Sequence, residues 1–303
     1  MTTTSLSLRK RLHLPRPSVL FGSIWLIGLS VLTVLANYVP AAVPFIRNYG
    51  TRVKLNGKSK QYGFGPGWNA WFGTGKSSED VFAHCIYGAK VTLTIGIGAT
   101  VVGIVVGGFL GVISGYFRGW TDRVSSIITD CLMSIPPLLL ALILILRLDD
   151  LKDTYSWLGW LTRTWQITLT LGLVSVAPFA RIVRAQTLTL REREFVTAAR
   201  SLGASRSRII FRELLPNLVP AMVTVAFTGL GILIAAEAGL AFLGLGVESP
   251  HTWGKMIDTA RDQIETAWWA TIFPCLMLFI TVLSFNLLGD ELARRFDIRE
   301  AAV

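Results

Sequence analysis

One polar, arginine-rich stretch between two long apolar runs decides how this chain folds: residues 194–217, which read EFVTAARSLGASRSRIIFRELLPN. Four apolar side chains recur at the spacing of one helix face, Phe195, Ala198, Ala199 and Leu202, and the opposite face carries Glu194, Thr197, Arg200 and Ser201. Gly203 suits the left-handed end of that helix, Ser205 suits the start of a second helix, and Pro216 is expected to end the second one. The stretch therefore predicts a helical hairpin placed at a membrane face.

The composition defines the class of protein. Of the 303 residues, 52% are hydrophobic and 16% are charged, which is too apolar for a soluble domain of this length. Crossing roughly 30 Å of hydrocarbon takes about 20 helical residues. Six runs meet this requirement, at about 19–39, 91–116, 124–148, 166–183, 218–240 and 269–288. The sequence therefore predicts an all-α membrane protein with six transmembrane helices.

The first apolar run has a second interpretation, because Arg9, Lys10 and Arg11 precede it as they would precede a signal peptide. The run approaches twenty residues, however, and no small-x-small cleavage site follows it. We therefore interpret it as a membrane span that is retained.

Basic residues orient the six spans. They precede the first run between Arg9 and Arg16, follow the second at Arg118 and Arg123, and include eight arginines between Arg181 and Arg212. These segments and both termini are predicted to be cytoplasmic. The outer segment 40–89 is also basic, but the rule weakens in long loops. The net charge of +10 favours anionic lipid and an acidic protein surface as partners over nucleic acid.

Several other kinds of site are not indicated. Cys85, Cys131 and Cys275 show no spacing typical of a disulfide framework or a metal site. Residues 73–77, GTGKS, resemble the end of a phosphate-binding loop, but Ala70 stands where its first glycine is required. The hairpin has the outline of a DNA-reading helix-turn-helix, yet the spans on both sides tether it too closely to engage a duplex.

The hairpin resembles the EAA loop of ABC importer permeases. Thr197-Ala198-Ala199, then Gly203 after three further residues, then LLPN at 214–217 follow the order of that motif. The local version, with Glu194 before it, resembles the dipeptide/oligopeptide/nickel permease family and within it the C-type subunit. Segments 73–93, 130–141, 180–184, 237–254 and 285–290 follow the family order, so the resemblance covers about Phe72 to Arg299.

The resemblance implies a type I ABC importer permease that pairs with a homologous second permease. Two cytoplasmic ATPase subunits, or one fused pair, would bind ATP and Mg, so that this chain would be neither an enzyme nor a cofactor or metal binder. An extracytoplasmic binding protein would deliver a peptide or a similar small solute. The resemblance assigns ATPase coupling to Glu194, Phe195, Thr197, Ala198, Ala199, Arg200, Ser201, Leu202, Gly203, Ala204 and Arg206.

The predicted organisation has five parts, with departures from the family in two of them. They are a cytoplasmic segment 1–18, the first transmembrane helix 19–39, an extracytoplasmic segment 40–89, a core permease domain 90–289 with the coupling loop 184–217, and a cytoplasmic tail 290–303. The departures are Gly75, Ser78, Glu79, Thr197 and a basic insert at 47–67. These departures concern the contacts at the outer face and the identity of the solute more than they concern the coupling to the ATPases.

Small residues form a stripe in the second span. Gly103, Gly107, Gly111 and Gly115 recur every four residues, and small residues at this spacing let another helix backbone approach closely. We predict a tightly packed core helix. A sliding surface for alternating access is the alternative.

Two carboxylates lie inside apolar runs, where a central Asp costs roughly 2.5 to 3.5 kcal/mol on insertion scales. Asp130 is predicted to pair with Arg181 or Arg184 at the inner end of the fourth span. Glu237 lies near the outer third of the fifth span, where lining the route and fixing helix register are both open, with the second favoured. An ion-gradient-driven secondary transporter that uses Asp130 and Glu237 is the main alternative, but it predicts inverted repeats and broken helices that the sequence does not show convincingly.

The orientation can be tested by cysteine labelling from each side of the membrane. A cysteine introduced at Ser201 should react with an impermeant maleimide only from the cytoplasm, and one at Ser59 only from outside, because the arginines place the hairpin inside. The native cysteines should first be replaced. Reaction of both positions from the same side would contradict the six-span topology.

Overall fold

The computed structural model describes residues 16–54, 63–249 and 251–300. Within these residues the α-helices are α1 (Pro17–Tyr38), α2 (Val81–Phe117), α3 (Gly119–Ser134), α4 (Pro137–Thr154), α5 (Arg163–Arg191), α6 (Glu194–Ser201), α7 (Arg206–Arg208), α8 (Leu215–Leu240), α9 (Trp253–Ala260) and α10 (Trp269–Glu300). Short 3₁₀ turns cover Pro40–Ala42, Ser156–Trp160 and Arg261–Gln263, and π-helical turns cover Ile209–Leu214 and Ala241–Leu245. Arg9 to Arg11, Ser59 and residues 55–62 of the basic insert lie outside the described residues.

Most of the predicted spans are single helices, but the third is broken. In the part of the chain that the structure describes, α1, α2, α5, α10 and the helix that contains α8 are each long and apolar enough to cross a membrane. The α3–α4 pair meets the same test only together and is bent by 95°, which gives six spans if the pair is one. The prediction of one continuous helix over 124–148 is wrong.

The break in the third span has a local cause. α3 ends at Ser134, Ile135 is extended at φ −91° and ψ 131°, and α4 begins at Pro137. A proline lacks the N–H that a helix needs and pushes the residue before it out of the helical conformation. Two successive prolines at 136 and 137 therefore stop one helix and start another.

The tightest packing joins α2 to α5 along the glycine stripe. A Cβ added to Gly107 would lie 2.6 Å from a carbonyl oxygen of α5, and one added to Gly111 would lie 2.7 Å from another. Gly103 and Gly115 meet side chains of the same helix at similarly short range. The two backbones are thus in contact, which matters because lipid gives apolar side chains little reason to associate.

The second arm of the hairpin does not end at Pro216, contrary to the prediction. α7, the π-helical turn Ile209–Leu214 and α8 form one continuous helix. The N–H of Leu215 bonds to the carbonyl of Ile210, five residues back. This wider turn accommodates a proline, which has no N–H and would crowd the carbonyl of a regular α-helical turn. The hairpin is therefore joined to the fifth span without a flexible link.

The segment before α2 forms a cap at the opposite end of the bundle from the hairpin. Asp80 starts α2 by accepting two backbone hydrogen bonds and lies 3.4 Å from Nη1 of Arg47. Trp269, at the start of α10, donates its indole N–H to the carbonyl of Thr74 over 3.0 Å. Residues 73–77, whose sequence resembles a phosphate-binding loop, belong to this cap, since Thr74 accepts the hydrogen bond from Trp269. The cap is thus packed on α2 and α10.

Replacing either central glycine of the stripe should prevent correct packing. In Gly107→Leu and Gly111→Leu, the new side chain would occupy the space of the α5 backbone, so we expect loss of folded protein from detergent extracts and loss of transport. Gly28→Leu is the matched control, because Gly28 has nothing within 4 Å of its added Cβ. Normal folding and transport by both stripe variants would show that the α2–α5 contact is unimportant.

Candidate coupling site and intramembrane charges

The hairpin has the predicted local geometry. α6 covers Glu194–Ser201, and Gly203 adopts φ +77°, a left-handed conformation that ends the helix. The N–H of Ala204 then bonds to the carbonyl of Ala199 over 3.0 Å, which closes the turn. Ser205 starts the second helix by accepting a hydrogen bond from the N–H of Arg208 at 3.4 Å.

Val196 anchors the hairpin to the bundle. Its side chain is fully buried in a cluster that includes Ile209, whereas Phe195 is 37% exposed and Leu202 is 88% exposed. Val196 lies on neither predicted face of the helix, so its role could not be predicted from those two faces. The available signal was its spacing of three residues from Ala199, which is partly buried in the same cluster.

Most residues assigned to coupling face outward from the chain. Those exposed are Glu194, Phe195, Thr197, Ala198, Arg200, Ser201, Leu202, Gly203 and Arg206, and those partly buried are Ala199 and Ala204. The exposed set combines apolar side chains with cations. Such a surface is suited to contact with another subunit.

The base of the hairpin also contacts the junction between α2 and α3. Arg118 Nη2 and Glu192 Oε1 are 2.6 Å apart, and the guanidinium of Arg191 lies 5.8 Å from the centre of the Tyr116 ring. Both partners of the first pair are substantially exposed, so it contributes no more than about 1 kcal/mol. The burial of Val196 therefore attaches the hairpin to the bundle more strongly than this ion pair does.

Arg184 pairs with Asp122 and not with Asp130. Its Nε and Nη2 donate to the two carboxyl oxygens of Asp122, the second over 2.9 Å. The predicted pairing of Asp130 with Arg181 or Arg184 is wrong, because no such N–O distance is within 4 Å in the described chain. Asp130 lies eight residues beyond Asp122 on α3, about 12 Å along the axis. Because α5 runs antiparallel to α3, Arg184 lies level with the start of α3, where Asp122 is.

Asp130 and Arg181 instead border one polar cavity between α3 and α5. The cavity has a volume of about 110 Å³, and both side chains belong to exposed residues. Hydroxyl-bearing residues complete much of the lining, namely Ser125, Ser126 and Thr129. A carboxylate and a guanidinium therefore face the same small space.

Glu237 is fully buried at the end of α8 that meets α9, with 0% of the residue exposed. Among the described residues neither carboxyl oxygen has a partner in hydrogen-bond geometry, although the Thr252 hydroxyl at the start of α9 is close enough to influence the group. Gly254 of α9 packs directly on Ala238, so that an added Cβ would lie 2.5 Å from the Ala238 Cα. This placement does not fit a residue lining an open route, and it fits a group that fixes the packing of α9 on α8.

The predicted functional residues thus lie in four separate places. The coupling residues form the hairpin, the glycine stripe lies in the α2–α5 contact, Asp130 and Arg181 meet at the polar cavity, and Glu237 lies under α9. Of the three intramembrane charges, Asp130 and Arg181 lie at one cavity, and Glu237 lies apart from them. Within the described residues, groups of His, Cys, Asp and Glu that could hold a metal ion are absent.

Comparison with known proteins identifies the family. Residues 103–300 match the family described as the binding-protein-dependent transport system inner membrane component. The chain is 35% identical over 234 residues to the dipeptide transport system permease protein DppC of Alkalihalophilus pseudofirmus, covering 77% of this chain and 73% of that protein. It is 33% identical over 290 residues to the glutathione transport system permease protein GsiD of Escherichia coli, covering 95% and 87%.

Solved structures agree on the fold. The inward-facing MetNI methionine ABC transporter superposes with a TM-score of 0.59 at 22% identity, over 72% of this chain and 99% of that one. An amino acid ABC transporter gives a TM-score of 0.53 at 18% identity, over 71% and 94%. At these identities the likeness concerns the arrangement of helices alone.

The chain belongs to the binding-protein-dependent transport system inner membrane component family, and is an ABC importer permease of the dipeptide/oligopeptide type. It is a multi-pass membrane protein with a type I permease fold. It is the pore subunit, and separate subunits of the transporter hydrolyse ATP. The alternative of an ion-gradient-driven secondary transporter is therefore not retained.

The ion pair between α3 and α5 can be measured with a double-mutant cycle. Asp122→Asn and Arg184→Gln should each destabilise the protein, and their coupling energy should be about 1–3 kcal/mol, because the hydrogen bonds join charged, partly buried groups. The measurement is the unfolding midpoint in mixed detergent micelles. The cycle of Asp130→Asn with Arg184→Gln is the comparison and should give a smaller coupling energy, because these two residues share a cavity without a direct ion pair. A larger coupling with Asp130 than with Asp122 would contradict the observed pairing.

Proposed function

We propose that the chain is the C-type permease subunit of an ATP-driven importer of short peptides, and that it forms half of the translocation pathway with a homologous second permease. The observation that best supports an ATP-driven importer is the form of the hairpin. It exposes Phe195 and Leu202, and the buried Val196 holds it to the bundle. The relatives support a short peptide as the solute, because they are permeases of dipeptide and glutathione transport systems. Both names denote short peptides.

The proposal also includes partners at both ends of the bundle. Two ATPase subunits, or one fused pair, bind the hairpin in the cytoplasm and hold the ATP and Mg, and this chain binds neither. Arg200 and Arg206 are exposed and favour an acidic ATPase surface. An extracytoplasmic binding protein delivers the solute at the cap. Both termini are cytoplasmic, and membrane lipid surrounds the spans.

The connections of the hairpin explain how ATPase movement reaches the pathway. α7 continues into α8 without a break, so a displacement of the hairpin moves the fifth span as a rigid body. On the other side only Glu192 and Arg193 separate α6 from α5. α2 must follow α5, since their backbones touch at the glycines. Closure of the ATPases is thereby converted into a rearrangement of three spans.

Gly203→Val should uncouple the transporter while leaving the permease in the membrane. Gly203 has φ +77° with nothing within 4 Å of an added Cβ, so the cost is the left-handed backbone, roughly 1–2 kcal/mol for a residue with a side chain. We expect weaker co-purification of the ATPases and joint loss of uptake and solute-stimulated ATP hydrolysis. Gly159→Val is the control, because Gly159 has equal space without a positive φ.

A crosslink provides the direct test of the contact. A cysteine at Ser201, which is exposed at the end of α6, should crosslink to a cysteine in the ATPase surface of the assembled complex. Leu202→Ser should weaken ATPase binding without changing insertion, because Leu202 is the most exposed apolar residue of the hairpin. Absence of the crosslink together with normal uptake by Gly203→Val would refute the coupling role.

A further inference from the structure

Three pairs of oppositely charged residues follow one another along the contact between α3 and α5. In order from the hairpin they are Arg118 with Glu192, Asp122 with Arg184, and Asp130 with Arg181. The first two pairs are closed by direct hydrogen bonds. The third pair is open, with a polar cavity of about 110 Å³ between α3 and α5 at its level.

Open charges inside a membrane span require an explanation, because ionisable groups there are costly unless they meet a partner or water. In residues 16–54, 63–249 and 251–300, neither Asp130 nor Arg181 has an ion-pair partner within 4 Å, and the guanidinium of Arg181 makes one weak contact, 3.9 Å from the sulfur of Met133. Arg184 also borders the cavity, but two of its donors are engaged by Asp122. Asp130 and Arg181 are therefore available to a group that enters the cavity.

The cavity size limits what can enter. A water molecule takes up roughly 30 Å³ in the liquid, so a cavity of about 110 Å³ has room for an ammonium and a carboxylate group with little water, and not for a whole peptide. Ser125 and Ser126 add hydroxyl groups to the lining. Both charged residues are exposed at the surface of the chain, so the remainder of a bound molecule can stay outside the cavity.

We propose that Asp130 and Arg181 bind the free ammonium and free carboxylate groups of the solute as it passes this level of the bundle. The inference rests on the proposed function, since it takes the solute to be a short peptide with unblocked ends. Such a molecule carries both charges, and each forms a charge-assisted hydrogen bond with the opposite side chain. The neighbouring Asp122–Arg184 pair keeps Arg184 from neutralising Asp130.

A competing explanation is that the second permease covers the cavity and pairs its own charges with Asp130 and Arg181. The two explanations differ in the access of water to the cavity. A site for a passing solute is open to aqueous reagents in the assembled transporter, and a subunit interface is closed to them. Ser126, which lines the cavity, provides the position for a reporter cysteine.

The first arm of the experiment measures accessibility in the complete transporter, reconstituted in liposomes with the second permease, the ATPases and the binding protein. Cys131 and Cys275 are replaced by serine, and the buried Cys85 is kept. Ser126→Cys is then treated with a cationic and an anionic methanethiosulfonate, with and without dialanine. We expect reaction with both reagents and slower reaction when dialanine is transported. Ser156→Cys is exposed on a distant turn and is the control, with no dialanine effect expected.

The charge of each residue is tested in the same preparation. Asp130→Asn should slow the cationic reagent and Arg181→Gln the anionic one, each by about tenfold, because each variant removes a nearby opposite charge that attracts the reagent. Both variants should also lose dialanine uptake and the protection of Ser126→Cys by dialanine. Asp122→Asn releases Arg184, which borders the cavity, so this variant should shift the ratio of the two rates toward the anionic reagent.

The possible outcomes separate this inference from the proposed function. If the unmodified transporter takes up no dialanine in an ATP-dependent manner, the proposed peptide function fails, and the assignment of peptide ends fails with it. If dialanine is taken up but does not protect Ser126→Cys, or if Asp130→Asn and Arg181→Gln retain normal uptake, only the solute site fails. If Ser126→Cys reacts with neither reagent, the cavity is covered and the charges belong to the subunit interface. If a charge variant fails to assemble, the test still rests on Ser126→Cys with Asp130 and Arg181 intact. Protection of that cysteine by dialanine supports the solute site, and lack of protection contradicts it.

Discussion

The backbones of α2 and α5 are in direct contact, and this contact fixes the position of α5 within the bundle. Apolar side chains gain little by leaving lipid for protein, so close van der Waals packing has to hold these spans together. Gly107 and Gly111 permit that packing because they present no side chain to α5. α5 in turn carries Arg181 and Arg184 and leads into the hairpin. The positions of these charges and of the hairpin thus depend on the absence of side chains at these two positions of α2.

The hairpin combines a firm attachment with an exposed surface. Val196 is buried against the bundle, and Leu202 at the other end of the same short helix is almost fully exposed. The π-helical turn at Ile209–Leu214 lets the chain pass Pro216 without a hinge. A rigid joint of this kind suits the coupling role proposed above, because a flexible link would absorb a displacement of the hairpin.

The two intramembrane carboxylates differ in their exposure. Glu237 is sealed beneath α9, whereas Asp130 faces a polar cavity beside the broken third span. The break at Ile135 and the unpaired charge of Asp130 lie close in sequence, within about one and a half helical turns. Irregular backbone and open charges inside a membrane are tolerated where they border a polar space. Among the described residues, the broken span and the unpaired charge of Asp130 thus border the same polar cavity.

The class of protein could be predicted from the composition of the whole chain, and the local form of the hairpin and the glycine face of α2 could be predicted from patterns that act over a few residues. The pairing of Arg184 with Asp122, the burial of Glu237 and the role of Val196 as the anchor of the hairpin appear only in the folded chain. These facts depend on the rotation and relative shift of helices that are distant in sequence. A shift of two turns along α3 exchanges Asp122 for Asp130 as the partner, and no local pattern encodes that shift.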